Sequence, residues 1–307
     1  MSNPRILILG GGGFVGQHLL SHAGDRDVVA PRSVEVDLLD LSQTLDFVRR
    51  TQPSVILHAA GFVGGIGLNK AHPGRMIMDN LRMGLNAIEA ARTVPGCHVI
   101  IVSTVCAYPV DAPIPTPETT IDDGKPAFDT LPYGLAKRTL YHAAEALHRE
   151  EGLSFTYLVP TNMYGPGDHF DEAKSHVVPA LIRRAHETKE KGETRLDVWG
   201  DGTQTRDLLY VEDAARAMWM VADRPATNDL YNISSNREVS IRDLAEAVCD
   251  AVDFPGELTF DASKPGGAPR RGLDGTKISS TFGFDPEVDL KTGIRRTYEW
   301  FCANELP

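Results

Sequence analysis

The chain has 307 residues, 42% of them hydrophobic, and a formal charge of -11 at neutral pH. That length supports a full core in one elaborated domain or two closely joined ones, and the acidic balance argues against nucleic acid or an anionic membrane as partner, since a backbone reader needs a basic face. No run approaches the roughly 20 apolar residues of a membrane span, no signal-peptide pattern precedes the first strand, and Cys97, Cys106, Cys249 and Cys302 form no C-x-x-C pair; the expectation is a soluble, cytoplasmic protein with free thiols and neither a metal site nor a disulfide framework.

Arg5-Ile-Leu-Ile-Leu reads as a buried strand and runs directly into Gly10-Gly-Gly-Gly-Phe-Val-Gly16 and a helix. Glycines at 10, 13 and 16 permit a tight turn, close approach of backbone to a pyrophosphate and close packing of helix on strand, with the phosphates at the helix N-terminus. No Gly-Lys-Ser/Thr follows, which disfavours a nucleoside-triphosphate loop. Gly10, Gly13, Phe14, Val15 and Gly16 are therefore candidate dinucleotide contacts. The next strand, Asp27-Val-Val-Ala, ends in Pro31-Arg32-Ser33, where an NAD-selective domain places an acid. An arginine and a hydroxyl there suit a 2′-phosphate, so NADP(H) is expected over NAD(H), although Arg32 equally fits a solvated loop. Asp37 and Leu38 are placed near the adenine, with a helix N-cap as the other reading of Asp37.

Val55-Ile-Leu-His-Ala-Ala-Gly61 is a further buried strand, whose small residues Ala59 and Ala60 let a cofactor lie across it; His58 reads as structural. A flexible loop is expected from Phe62 to Pro73 and a helix over Met76 to Arg92, with Asn80 as a polar contact near the site. The run from His98 to Val102 is a strand that delivers Ser103, Thr104 and Cys106 to the sheet edge. From Tyr133 onward, Leu135, Leu140, Ala143, Ala144 and Leu147 recur at helical spacing, so Tyr133 and Lys137 stand one turn apart on one face. A neighbouring ammonium favours the phenolate and brings a tyrosine toward working range. A strand-end hydroxyl opposite would hold a carbonyl oxygen between two donors, the arrangement needed to move hydride to a ketone.

Phe155-Thr-Tyr-Leu-Val is the next strand and leads into Pro160-Thr-Asn-Met-Tyr-Gly-Pro166, with Pro160 beside the cofactor. The alternation up to this point indicates an α/β, Rossmann-type doubly wound parallel sheet. Beyond it come a polar loop, Asp168-His-Phe-Asp, a helix opened by Ser175-His-Val-Val, a short strand Arg195 to Gly200, a strand–helix unit from Arg206, and helices over Ser240 to Val252 and Leu290 to Cys302. Residues 1–166 are expected to form the NADP-binding domain, with 204–234 returning to it, and 167–203 with 235–307 a smaller α/β substrate-binding lobe.

Together these segments resemble the extended short-chain dehydrogenase/reductase superfamily and, within it, the GDP-L-fucose synthase family of epimerase-reductases. The broad features are G-x-x-G-x-x-G, the strand-end hydroxyl and Y-x-x-x-K. Narrower ones are Val63-Gly-Gly-Ile, Val105-Cys-Ala-Tyr-Pro, Pro160-Thr-Asn-Met-Tyr-Gly-Pro, Ser175-His-Val-Val-Pro-Ala-Leu and Asp261-Ala-Ser-Lys-Pro-Gly-Gly-Ala-Pro-Arg. The resemblance implies a reductase triad of Thr104, Tyr133 and Lys137, with threonine where the family commonly has serine, and an epimerising acid–base pair of Cys106 and His176. It implies Arg184, Arg206 and Arg271 on a substrate diphosphate, Asn162 on the sugar, and Val177, Leu181 and Val198 or Trp199 along the nucleotide. It also implies a GDP-linked 4-keto-6-deoxy sugar as substrate and a homodimer built on the Met76 to Arg92 and Tyr133 to Glu151 helices. The competing readings are another nucleotide-sugar epimerase, 4,6-dehydratase or 4-ketoreductase acting on a GDP-heptose or another nucleotide, and, from a different class, a non-catalytic dinucleotide-binding scaffold or sensor.

Overall fold

The computed structural model describes residues 4–171, 175–264 and 267–306. The first half alternates β1 (Arg5–Leu9), α1 (Phe14–Ser21), β2 (Asp27–Val29), α2 (Leu41–Thr51), β3 (Val55–His58), α3 (Ile66–Ala71), α4 (Pro73–Arg92), β4 (His98–Val102), α5 (Leu131–Glu151) and β5 (Ser154–Pro160). After β5 come β6 (Asn162–Tyr164), α6 (Val177–Glu190), β7 (Arg195–Trp199), β8 (Thr205–Tyr210), α7 (Val211–Ala222), β9 (Leu230–Ile233), β10 (Glu238–Ser240), α8 (Ile241–Val252), β11 (Glu257–Asp261), β12 (Arg270–Arg271), α9 (Thr276–Phe282) and α10 (Leu290–Asn304).

Six strands form one parallel sheet in the order β2-β1-β3-β4-β5-β9. The chain winds outward from β1 to β2 and then crosses back to β3, so the switch point lies between β1 and β3, where ligands bind at the carboxyl ends of such sheets. The central strands are continuous apolar runs because both faces are covered. Alternate side chains divide between two cores: Leu7, Leu9, Ile56 and Ile101 pack toward α4 and α5, and Ile6, Ile8, Leu57 and Ile100 toward α7 and α9. A third core gathers Leu181, Ile182, Val248 and Phe301 from α6, α8 and α10. Around it, β8 pairs with β10, β12 and β6, while β7 pairs with β11.

The segment expected as a flexible loop from Phe62 to Pro73 contains α3, and α4 starts at Pro73, a residue suited to a first helical turn. Within 204–234, α7 and β9 join the first sheet and its core, whereas β8 joins the smaller sheet. Ile278, Phe282 and Phe284 also pack in the second core.

The long connection between β4 and α5 is pinned by a buried amide. Asn232 on β9 donates from Nδ2 to the carbonyls of Thr116 (2.9 Å) and Asp274 (3.1 Å), its N–H donates to Glu118 Oε1 (2.9 Å), and its Oδ1 accepts from the Tyr108 hydroxyl (2.6 Å). Asp207 on β8 plays a matching part, accepting from Ser234 Oγ (2.7 Å), Ser235 N–H (3.0 Å) and Ser235 Oγ (2.5 Å). Burial raises its pKa and these hydrogen bonds oppose the rise. Among the described residues no helix is long and apolar enough to cross a membrane.

Candidate active site

The glycine-rich turn between β1 and α1 is shaped by what it lacks. Gly10 has φ +98° and its carbonyl accepts from Gly13 N–H at 3.0 Å. A Cβ on Gly10 would press on the backbone of Ala59 and Ala60, and one on Gly16 would collide with the Gly10 carbonyl. Gly13, the N-cap of α1, supplies no side-chain acceptor to the first-turn amides. Phe14 stands edge-on to His18, Val15 packs against the second core, and Pro160 ends β5 beside β9. The cradle therefore fits a dinucleotide pyrophosphate: side chains are excluded where the backbone must approach, and helix N–H groups face outward.

Arg32 lies beyond β2 with its side chain 77% exposed, 3.6 Å from Glu35. The Asp37 carboxylate accepts from Leu39 N–H (2.9 Å), while the helix cap of α2 is Asp40, bonded to Ser42 and Gln43. The Leu38 carbonyl is held by Asn86 of α4 (2.8 Å). Asn80 spends its amide on the Phe62 N–H, the Phe62 carbonyl and the Met76 carbonyl, so it fixes the chain after β3.

At the end of β4 two adjacent hydroxyls diverge. Ser103 points into the core and bonds the Tyr157 hydroxyl at 2.5 Å. Thr104 caps a short turn over Val105–Ala107, its Oγ1 accepting from Cys106 N–H at 3.2 Å. The start of α5 lies against this turn because Gly134, next to Tyr133, leaves room for the Cys106 carbonyl. Thr104, Cys106 and Tyr133 thus form one cluster. Burial, and secondarily the charge that Cys106 can carry, raise the Tyr133 pKa, while a hydrogen bond with Thr104 acts the other way. The expectation from Tyr-x-x-x-Lys is reversed in direction: Lys137 is buried, donates from Nζ to the Val102 carbonyl at 3.0 Å, and has its own pKa pushed down to about 8 by desolvation. A phenol held protonated is the form that can give up a proton.

His58 lies on the same side of the sheet, buried at 1% exposure with neither ring nitrogen hydrogen-bonded. Burial first, and the Lys137 charge second, push its pKa down to about 3.

The smaller sheet contributes cations. Arg271 on β12 is in register with Arg206 on β8, and its Nη1 lies 3.9 Å from the Cys106 sulfur. Among the described residues Arg206 donates only to the carbonyls of Thr205 (2.7 Å) and Ala268 (2.8 Å); burial, then the charge of Arg271, lower its pKa. Two adjacent guanidiniums facing no carboxylate among the described residues suit a polyanionic ligand. Arg184 is exposed and donates to the Asp197 carbonyl. Asn162 on β6 donates to the Asp207 carbonyl at 3.3 Å. Leu181 and Val198, read from sequence as nucleotide contacts, are packed in the third core, while Val177 is half-buried and Trp199 is 58% exposed. Strand parity puts only one of Val198 and Trp199 inward. His176 is the N-cap of α6, on the surface. Asp168, given no role from sequence, is buried beside it; only its position in a polar stretch marks it. Among the described residues no group of three or more His, Cys, Asp or Glu is placed to hold a metal ion.

A parallel dinucleotide sheet whose edge joins a hydroxyl, a phenol and a thiol is the design of nucleotide-dependent carbonyl enzymes, and the chain belongs to the NAD dependent epimerase/dehydratase family, whose pattern matches residues 6–234. More particularly, it is 36% identical to a GDP-L-fucose synthase of Sinorhizobium fredii over 99% of this chain and 97% of that one. It is 35% identical to GDP-L-fucose synthase 1 of Arabidopsis thaliana over 98% and 94%. Among solved structures it resembles a GDP-mannoheptose C4 reductase from Campylobacter jejuni with NADP bound, with a TM-score of 0.86, 25% identity, and coverage of 98% and 99%.

Proposed function

We propose that the protein is a GDP-L-fucose synthase: an NADPH-dependent enzyme that converts GDP-4-keto-6-deoxy-D-mannose to GDP-L-fucose by epimerising C3 and C5 and then reducing C4. The observation that carries this reading is the cluster of Thr104, Tyr133 and Cys106 at one sheet edge, with Arg271 on the thiol. A reductase alone needs the hydroxyl and the phenol; a thiol in the same cluster adds a base for carbon acids. Full-length similarity to GDP-L-fucose synthases supports the same substrate.

The glycine cradle, Arg32 and the small residues after β3 would hold the cofactor, and NADPH, when bound, supplies the hydride for C4. Thr104 and Tyr133 hold the C4 oxygen between two donors. The C4 ketone makes the hydrogens on C3 and C5 acidic because enolate charge rests on that held oxygen. Cys106, as thiolate, takes the proton from carbon, and His176 delivers one to the opposite face. In the reductive step Tyr133 gives its phenolic proton to the C4 oxygen, and the neighbouring Lys137 ammonium stabilises the phenolate left behind. Arg206 and Arg271 bind the diphosphate. The lobe that carries these arginines serves the substrate, and the first sheet serves the cofactor. We also assign the protein to the cytoplasm and to a homodimer formed through α4 and α5, since Met78 and Leu85 lie exposed two turns apart on α4; a monomeric mass by light scattering would remove the dimer.

The test is incubation with GDP-4-keto-6-deoxy-D-mannose and NADPH in deuterated water. Cofactor oxidation with deuterium at C3 and C5 is expected. Oxidation without label leaves a C4 ketoreductase, the activity named for the Campylobacter structure. No oxidation by folded protein removes the substrate assignment.

A further inference from the structure

The loop between β6 and α6 holds an acid for which neither the core nor the surface gives a use. The Asp168 side chain is 2% exposed. Its Oδ1 accepts from the N–H of His169 at 2.7 Å, while Oδ2 is buried and has no hydrogen-bond partner among the described residues. A buried carboxylate that accepts a single hydrogen bond keeps unused acceptor capacity on both oxygens, and in native structures that calls for a specific reason. The stretch 166–170 is well anchored: Phe170 packs on Phe301 with ring centroids 4.7 Å apart, and the Pro166 carbonyl is bonded to His18 of α1 at 2.7 Å. Asp168 is thus a fixed group facing a loose one. His176, whose side chain is 47% exposed, makes no cap hydrogen bond, and its Nδ1 stands 3.9 Å from Asp168 Oδ1.

We propose that Asp168 is the positioning residue for His176: it accepts a hydrogen bond from Nδ1–H, so that the imidazolium hands a proton to the sugar from Nε2 alone and is left as the Nδ1–H tautomer. The inference rests on the acid role of His176 in the proposed epimerisation. The gap to close is under an ångström beyond hydrogen-bond length, within reach of a small turn of an exposed ring. The proton balance is simple. Cys106 takes a proton from carbon and the enolate forms; the Nε2 proton of the His176 imidazolium goes to the same carbon from the other face, leaving neutral His176 with Nδ1–H on Asp168. Solvent then returns one proton to His176 and removes one from Cys106, ready for the second carbon. An imidazole with its distal nitrogen fixed in this way delivers through one atom only, which is how a carboxylate beside a catalytic histidine acts elsewhere in acid–base chemistry.

Two measurements decide it. Nitrogen-15 NMR of histidine-labelled protein with NADP+ bound, at a pH high enough to leave the ring neutral and with the His176 signals assigned by their loss in His176→Gln, should give Nδ1–H in the wild type and a tautomer mixture in Asp168→Asn. In deuterated water, Asp168→Asn should slow label entry into GDP-4-keto-6-deoxy-D-mannose at C3 or C5 by about 10-fold or more, with substrate KM changed less than about two-fold, and Asp168→Glu should recover part of the rate. A bare Nδ1 in the wild type, or exchange unchanged in Asp168→Asn, overturns the proposal. Should Asp168→Asn fail to fold, the wild-type tautomer still decides. Absence of label in the wild type would instead strike the epimerase reading, which the tautomer measurement does not depend on.

Discussion

The guanidinium of Arg271 stands 3.9 Å from the sulfur of Cys106, joining β12 of the smaller sheet to the turn at the end of β4. Thiol reactivity follows the cations set around the sulfur, and this contact sets one beside Cys106. Burial pushes the Cys97 thiol up to about 12 and raises that of Cys249, so neither competes. Iodoacetamide should therefore modify Cys106 well ahead of Cys97 and Cys249, and Arg271→Gln should slow that modification several-fold. Peptide mapping by mass spectrometry reads both, and equal rates in the two proteins would mean the contact has no chemical effect.

Lys137 should prove destabilising in the fold that needs it. Its pKa falls from 10.5 to about 8 through burial. The unfolded chain therefore binds more protons between those values, and stability rises with pH across that window. At pH 7 the buried ammonium carries nearly the whole penalty, so Lys137→Met should be more stable by roughly 1–3 kcal/mol after loss of the Val102 hydrogen bond. Reduction of C4 should fall about 100-fold or more in this variant, and in the wild type should decline above about pH 8 as the ammonium is lost. Urea titrations at pH 7 and a pH–rate profile check the two halves.

Acid should weaken the protein through two histidines. His58 is pushed down to about 3 and His98 to about 4, both chiefly by burial. Below the ordinary histidine value of 6.5 the unfolded chain takes up protons that the fold refuses, so stability is full above about pH 6.5 and is lost as pH falls. Each group can contribute a slope approaching 1.4 kcal/mol per pH unit. His58→Leu, which fills a site where neither ring nitrogen is bonded, should flatten the decline between pH 6.5 and 4.5. An unchanged slope would place the acid sensitivity elsewhere.

The glycine turn separates two superficially similar substitutions. A Cβ on Gly16 would strike the Gly10 carbonyl, whereas one on Gly12 meets nothing within 4 Å. Gly16→Ala should lose roughly 1–3 kcal/mol and most NADPH affinity, while Gly12→Ala should stay within about 0.5 kcal/mol of the wild type. Thermal melts with and without NADPH distinguish them.

The proposed preference for NADPH rests on Arg32, whose exposed side chain meets only Glu35 among the described residues. Arg32→Ala should weaken NADPH binding about 10-fold or more and leave NADH binding nearly unaltered. Fluorescence titration with each cofactor gives the ratio, and parallel losses would remove Arg32 from the 2′-phosphate.

What is local in the chain was legible from the sequence alone. The apolar runs of β1, β3 and β4, the glycine spacing at the first turn, and the one-turn separation of Tyr133 and Lys137 follow from periodicity, because neighbours in sequence fix them. The strand β9 was not: it is four residues long and carries Asn232, whose amide holds the Thr116 and Asp274 carbonyls. Parity alone could not say which of Val198 and Trp199 faces inward, since the answer depends on where α6 and α8 put the third core. Only the tertiary structure turned Ser103 into the core and left Thr104 beside Tyr133, made burial rather than Lys137 govern the phenol, and brought Asp168 to His176 and Arg271 to Cys106. Sequence patterns record the period of a helix or strand, whereas desolvation and long-range contact depend on what the rest of the chain packs against each group.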